Sequence, residues 1–231
     1  MHRLWIAAIA ALAVGVSIQS APAADLPVKA PVKQAAITNW AGWYGGIEGG
    51  WATARAAQTN TLSGVSNGYY GQQGALLGGT LGYNWQVANW ILGLETDLSW
   101  SGVRGEETNC GPTRTQVCPT QLLAFGTARG RVGTIVWANT IVYATGGMAY
   151  GEIKAFKNSV NVSGGEDWRT GWTAGAGVET MFAPNWSFKV EYLYATFPGT
   201  ATTYTITASN TPISAIERDI QMVRGGLNWH F

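Results

Sequence analysis

From residue 40 to residue 231, short and long connections alternate without a break, and that rhythm leaves very few folds open. Alternating apolar and polar residues mark eight segments, at about 43–53, 74–85, 90–102, 122–136, 141–153, 169–182, 186–196 and 217–231. Successive side chains of a strand point to opposite faces, so each segment reads as a two-faced strand. Three links are of tight-turn length and each contains an Asn: Gln86–Asn89, Trp137–Thr140 and Ala183–Asn185. The other four, near 54–73, 103–121, 154–168 and 197–216, are long and rich in Thr, Ser, Gly and Asn. Such a series runs up and down, with every short turn at one rim and every long loop at the other.

Parity along the strands divides the chemistry. Trp90, Leu92, Leu94, Leu98 and Trp100 share one face, with Gly93, Glu95, Asp97 and Ser99 on the other. Trp186, Phe188, Val190, Tyr192 and Tyr194 likewise oppose Ser187, Lys189 and Glu191. Carried through the chain, this parity collects Glu48, Glu95, Asp97, Glu179 and Glu191 on the polar face with Arg129, Arg131, Lys189 and Arg224. Segment 141–153 is apolar on both faces, which leaves its register open.

A soluble barrel turns the apolar face inward, and a membrane barrel turns it outward. The aromatic residues separate the two. Tyr83, Trp85, Trp90, Trp137, Trp186, Trp229 and Phe231 gather beside the short turns, and Trp51, Trp100, Trp172, Tyr192 and Tyr194 lie toward the long-loop ends. Two rims of interfacial aromatics suit a bilayer. Charged residues make up only 12% of the chain, about half the usual share, while it holds 31 Gly and 12 Trp. No apolar run after residue 24 approaches the roughly 20 residues of a spanning helix, so strands are the spanning unit.

The first 24 residues have the order of an export signal: basic Arg3, an apolar run from Leu4 to Ile18, then Ser20-Ala21-Pro22-Ala23-Ala24. Cleavage is expected after Ala23 or Ala24, followed by a Pro- and Lys-containing tail over 25–40 and a barrel over 41–231. Arg3 is the one Lys or Arg in the signal, and without it the 14 basic side chains fall into balance with the 13 acidic ones. A neutral chain offers no field for nucleic acid. Cys110 and Cys118 sit in an exported polar segment, where a disulfide is the default. A metal site is not expected, because the one histidine outside the signal is the distant His230.

Four stretches carry a resemblance: Ala24-Asp25-Leu26-Pro27, the opening strand WYGGIEGGWA from Trp43 to Ala52, LGYNWQ from Leu81 to Gln86, and the closing GGLNWHF. They resemble the eight-stranded outer-membrane β-barrel superfamily, in particular the small porin-family and opacity-protein-like immunogenic surface proteins of alphaproteobacteria. The resemblance implies a closed eight-stranded antiparallel up-and-down transmembrane β-barrel in the outer membrane of a Gram-negative bacterium. It also implies that the closing stripe of Leu227, Trp229 and Phe231 is read by the barrel-assembly machinery.

The leading functional expectation is a structural, surface-exposed protein without catalysis or cofactor, its interior filled by the nine charged residues named above. Its expected surroundings are outer-membrane lipid and lipopolysaccharide, and a monomer is expected. A narrow passive pore for small solutes or ions is the alternative, because the inward glycines Gly46, Gly50, Gly78, Gly82, Gly133, Gly175 and Gly177 remove side-chain volume. A hydrolase fares worst, since catalysis of that kind needs a base beside a nucleophile and the one available histidine lies at the rim.

Overall fold

The computed structural model describes residues 38–110, 116–155, 162–199, 201–207 and 210–231. The expected export signal and most of the expected tail lie outside these residues. Ten strands are present: β1 (Gly42–Asn60), β2 (Ser66–Val87), β3 (Trp90–Cys110), β4 (Gln116–Trp137), β5 (Thr140–Ala155), β6 (Val162–Gly164), β7 (Glu166–Ala183), β8 (Trp186–Thr196), β9 (Thr202–Ile206) and β10 (Thr211–His230). β1 to β5, β7, β8 and β10 follow one another as antiparallel neighbours, and β10 pairs back onto β1 from Tyr44↔His230 to Asn60↔Ile213. The first and last strands of this ring of eight therefore share a ladder, and neither is left with an open edge.

Two sequence expectations need correction. The ring has the eight strands expected, but among the described residues two short strands lie beside it: β9 pairs with the far half of β10, from Thr211 to Ala215, and β6 pairs with β9. β8 takes the near half of β10, from Ile220 to Trp229. Residues expected in loops also extend the ring strands, so that β1 to β4 run to 19–22 residues, where about 9 to 11 tilted residues cross a bilayer. Beyond Trp51 and Trp100 the outward positions turn polar, as with Thr53, Arg55 and Arg104. The apolar alternation stops where lipid contact stops, but the backbone ladder continues.

The second correction concerns the tail. Trp40, expected outside the barrel, is fully buried among Ile91, Ile141, Tyr143 and Met181. Its backbone N–H donates to Gln86 Oε1 at 2.7 Å and its carbonyl accepts from Asn84 Nδ2 at 3.1 Å. The indole carries a large apolar area, and placing it in the barrel mouth removes that area from water.

In two of the three tight turns the Asn side chain ties the turn to the neighbouring strand, and in the first only its backbone does. Ladder pairs Val87↔Trp90, Trp137↔Thr140 and Ala183↔Trp186 close two-residue turns, with Ala88 in the left-handed region at φ +52°. Asn89 O accepts from Ile135 N at 2.9 Å. Asn139 binds the next strand twice, accepting Met181 N and donating Nδ2 to Met181 O at 2.9 Å. Asn185 does the same with His230. The open register of β5 is also settled, since Ile141 pairs with Glu179 and places Ile141, Tyr143 and Ile153 inside.

The inward glycines follow from wall curvature. A Cβ built on Gly50 would lie 2.3 Å from Val223 O, and one on Gly78 would lie 2.2 Å from Leu98 O. At Gly82 it would meet the Tyr44 ring at 2.3 Å. In so tight a ring, inward Cβ positions collide with the neighbouring strand, so the glycines let the wall bend and leave no free passage. Gly49, the outward neighbour of Gly50, has nothing nearer than 3.4 Å. Chemical unfolding of Gly50→Val should accordingly show a loss of about 1–3 kcal/mol, with Gly49→Val close to neutral. Equal effects at the two sites would contradict this inward–outward assignment.

Candidate functional site

The candidate site is the barrel interior, where inward residues of all eight ring strands converge, six of them supplying the charged groups. All nine charged residues grouped by parity are buried there. Arg224 is the hub: its Nε donates to Glu191 Oε1 at 2.9 Å, Nη2 to Asp97 Oδ2 at 2.9 Å, and Nη1 to Glu48. Arg129 repeats the pattern with Nη1 on Glu191 Oε2 at 2.9 Å and Nη2 on Asp97 and Glu95. Lys189 Nζ lies 3.0 Å from Glu95 Oε1 and 3.3 Å from Glu48 Oε2. Arg131 binds Glu179 Oε2 at 2.9 Å and Asn84 Oδ1 at 2.8 Å, with its guanidinium 4.5 Å from the centre of the Tyr44 ring and 5.2 Å from that of Tyr143.

Five carboxylates face four permanent cations, so neutral donors complete the set. Tyr44 Oη donates to Glu95 Oε2 at 2.7 Å and Tyr143 Oη to Glu191 Oε2 at 3.2 Å. Thr127 Oγ1 donates to Asp97. Glu179 Oε1 accepts from Ser187 Oγ at 2.5 Å and Asn228 Nδ2 at 2.8 Å, with His230 Nε2 at 3.6 Å. Parity places Ser187 on the polar face with Lys189, but the other neutral partners were missed by a reading confined to charges. The same parity identifies them, because Tyr44 shares a face with Glu48 and Asn228 with Arg224.

Apolar layers lie on both sides of this network. Toward the short turns it is capped by Trp40, Ile91, Ile141 and Met181. Toward the long strands, Leu76, Val103, Leu122, Phe125, Leu193 and Met222 form part of a second buried layer. Farther out, Gln58 donates to Thr120 Oγ1 at 3.0 Å and accepts from Tyr204 Oη at 2.8 Å. Glu217, a carboxylate absent from the parity group, is buried in that outer zone, and among the described residues neither of its oxygens has a hydrogen-bond partner.

The outer surface is the reverse. Ile47, Leu77, Leu94, Leu98, Val190 and Val223 are exposed in the middle of the wall, with aromatics at both margins, Trp100 at 79% and Phe231 at 77%. Leu227, Trp229 and Phe231 point outward along the closing seam, where Trp186 and Trp229 meet edge to face at 5.0 Å. Phe231 N donates to Trp43 O at 3.0 Å. The backbones of Cys110 and Cys118 belong to β3 and β4, but their side chains, and with them the expected disulfide, lie outside the described residues.

A ring of antiparallel strands with its charges inside and an apolar wall rimmed by aromatics is an integral membrane β-barrel. The model of the outer membrane protein beta-barrel domain family matches residues 8–213, and the chain belongs to that family. It is 35% identical over 211 residues to a 31 kDa outer-membrane immunogenic protein of Brucella melitensis, covering 84% of this chain and 86% of that one. A 22 kDa outer membrane protein of Rhizobium leguminosarum is 30% identical over 171 residues, covering 73% and 69%. In fold, the chain is similar to the outer membrane protein OprG of Pseudomonas aeruginosa, with a TM-score of 0.54 and 16% identity, covering 85% of this chain and all of that one. The protein is an integral outer-membrane surface protein of a Gram-negative bacterium.

Removing one partner of a buried ion pair strands the other, at a cost of about 3–5 kcal/mol. Arg224→Met should lower barrel stability on that scale in denaturant titration, since it takes one buried cation from Glu48, Asp97 and Glu191 together and leaves the network with five acids against three bases. Lys154→Ala, which breaks a 3.0 Å pair with Glu166 at the exposed surface, should cost no more than about 1 kcal/mol. Similar losses for both would mean that the interior network has little energetic weight.

Proposed function

We propose that this protein is a structural, surface-exposed barrel whose interior is closed to solutes and performs no catalysis. The observation that carries this reading is the stacking of three layers across the lumen: the cap around Trp40, the charge network, and the apolar layer around Phe125 and Leu193. An eight-stranded wall encloses only enough space for side chains, and here that space is filled by groups that bond to one another. The glycines that favour a pore are occupied by close backbone approach, as at Gly46, where a Cβ would meet Leu227 O at 2.1 Å.

Ser187, His230 and Glu179 come together without forming a hydrolytic arrangement. In a serine triad the acid orients the imidazole nitrogen remote from the serine. Here Nε2 faces both partners, at 2.9 Å from Ser187 Oγ and 3.6 Å from Glu179, while the Ser187 hydroxyl donates its hydrogen bond to Glu179 Oε1. The imidazole stacks on Tyr44 at 5.5 Å and Trp40 closes over its edge, so no substrate reaches it.

Several parts of this reading rest on the family. The short turns face the periplasm and the long strands and loops face the exterior, where they act as surface antigen. Outer-leaflet lipopolysaccharide surrounds the upper wall, and the chain acts as a monomer. The assembly machinery reads the outward stripe Leu227, Trp229 and Phe231. Trp229→Glu should therefore reduce the yield of heat-resistant, compactly migrating barrel in cells, and an unchanged yield would remove the stripe from that role.

Single-channel recording in a planar bilayer tests closure. Wild type should carry little or no steady current, and replacing Arg129 and Arg131 together by alanine should introduce one. A stable open channel in wild type, with selectivity that shifts in the double variant, would make the protein a narrow pore.

A further inference from the structure

Just past the aromatic margin formed by Trp51 and Trp100, the outer wall turns from apolar to basic. Arg55 of β1 stands directly opposite Arg218 of β10 in the ladder, and both are exposed. Like charges so placed on a sheet destabilise it. The ion pair of Arg55 is a long, open 3.9 Å contact with Asp219, whose other oxygen accepts from Tyr194 Oη at 2.8 Å. A register shift beside Arg55 coincides with Asp219 at φ +54°, and this bulge brings Arg218 and Asp219 to the surface in succession.

A third arginine completes the arrangement. Arg55 pairs with Gly71 of β2 and Arg104 of β3 pairs with Gln73, so Arg55 and Arg104 flank β2, offset by two residues and with backbones roughly 12 Å apart. Between them lies a recess of ≈ 500 Å³ walled by Thr53, Arg55, Gln73, Arg104, Asp219 and Gln221. Its floor is Gly71, where an added Cβ would meet nothing within 4 Å. On the far side of the barrel, exposed Lys154 is already partnered with Glu166 at 3.0 Å, and half-buried Arg169 with Asp167 at 2.9 Å. Among the described residues, Arg104 and Arg218 have no ion-pair partner.

We propose that this recess holds a phosphate of a phosphorylated glycolipid in the outer leaflet. The proposal rests on the outward orientation and lipopolysaccharide surroundings given above. Aromatic margins mark headgroup depth, and the recess begins directly beyond one. Guanidinium groups bind phosphate through paired, charge-assisted hydrogen bonds, and an anion in the recess between Arg55 and Arg104 also offsets the repulsion between Arg55 and its ladder partner Arg218. The apolar wall beneath, with Trp51, Leu77 and Trp100 exposed, receives the acyl chains.

The test uses the full barrel in detergent micelles containing either bisphosphorylated lipid A or its dephosphorylated form, with bound lipid counted by native mass spectrometry. Arg55→Ala with Arg104→Ala should weaken binding of the bisphosphorylated lipid by about tenfold. Gly71→Phe, whose Cβ meets nothing within 4 Å and whose ring would occupy the recess, should do the same, and no variant should alter the weak binding of the dephosphorylated form. Heat-modified gel migration verifies that each variant is folded. Variants that bind like wild type while phosphorylated lipid is still preferred would overturn the recess as the site and leave the lipid partner in place. Failure of wild type to prefer phosphorylated lipid would overturn both. Inorganic phosphate competing as strongly as the lipid would make the recess a free-anion site instead.

Discussion

The whole structure depends on one requirement: in hydrocarbon, each backbone N–H and C=O must find its partner within the protein. A ring of strands meets it only if the last strand returns to the first. The β1–β10 ladder provides this over its full length, from Tyr44↔His230 outward. Closing the ring with eight strands makes the wall sharply curved, and curvature in turn decides the inward side chains. Where strands crowd, glycine is required, as at Gly50 and Gly175. Where space remains, side chains must fill it.

What fills the middle of the barrel is charge, which carries a desolvation cost, and the geometry offsets that cost by giving each ion several partners. Arg224 reaches three carboxylates, and Glu179 accepts from an arginine, a serine and an amide. Such a network favours one register around the ring, because a slip of one residue would put the whole set in lipid. The apolar layers above and below restrict water, which strengthens the interactions between them. Stability and closure to solutes thus arise from the same contacts.

Most of the fold was legible because lipid writes a period of two into the outward face. Trp90 to Trp100 and Trp186 to Tyr194 carry that signal strongly, and the inward charges could be grouped from it before their contacts were known. The signal ended at Trp51 and Trp100, and so the extensions of β1 to β4 and the added β6 and β9 were not visible: beyond the bilayer both faces of a strand can be polar. Trp40 was missed for a different reason. It precedes the first strand, follows a Pro-rich segment, and belongs to no alternating pattern, so only its packing reveals its place. Of the neutral members of the network, Ser187 was placed on the polar face by parity, while Tyr44, Asn84 and Asn228 were available by the same rule but carry no charge to mark them.

Whether the interior is a dry, bonded layer is tested most directly by thiol accessibility. In a cysteine-free background, single cysteines would replace inward Ser99, inward Thr145 and outward Leu98, and the folded barrel in lipid vesicles would be exposed to a small charged thiol reagent and to a membrane-partitioning one. The expected result is no reaction of Ser99→Cys or Thr145→Cys with the charged reagent from either side, and reaction of Leu98→Cys with the membrane-partitioning reagent alone. Rapid modification of the inward cysteines by the charged reagent in wild-type-like barrels would show a water-filled lumen and contradict the account.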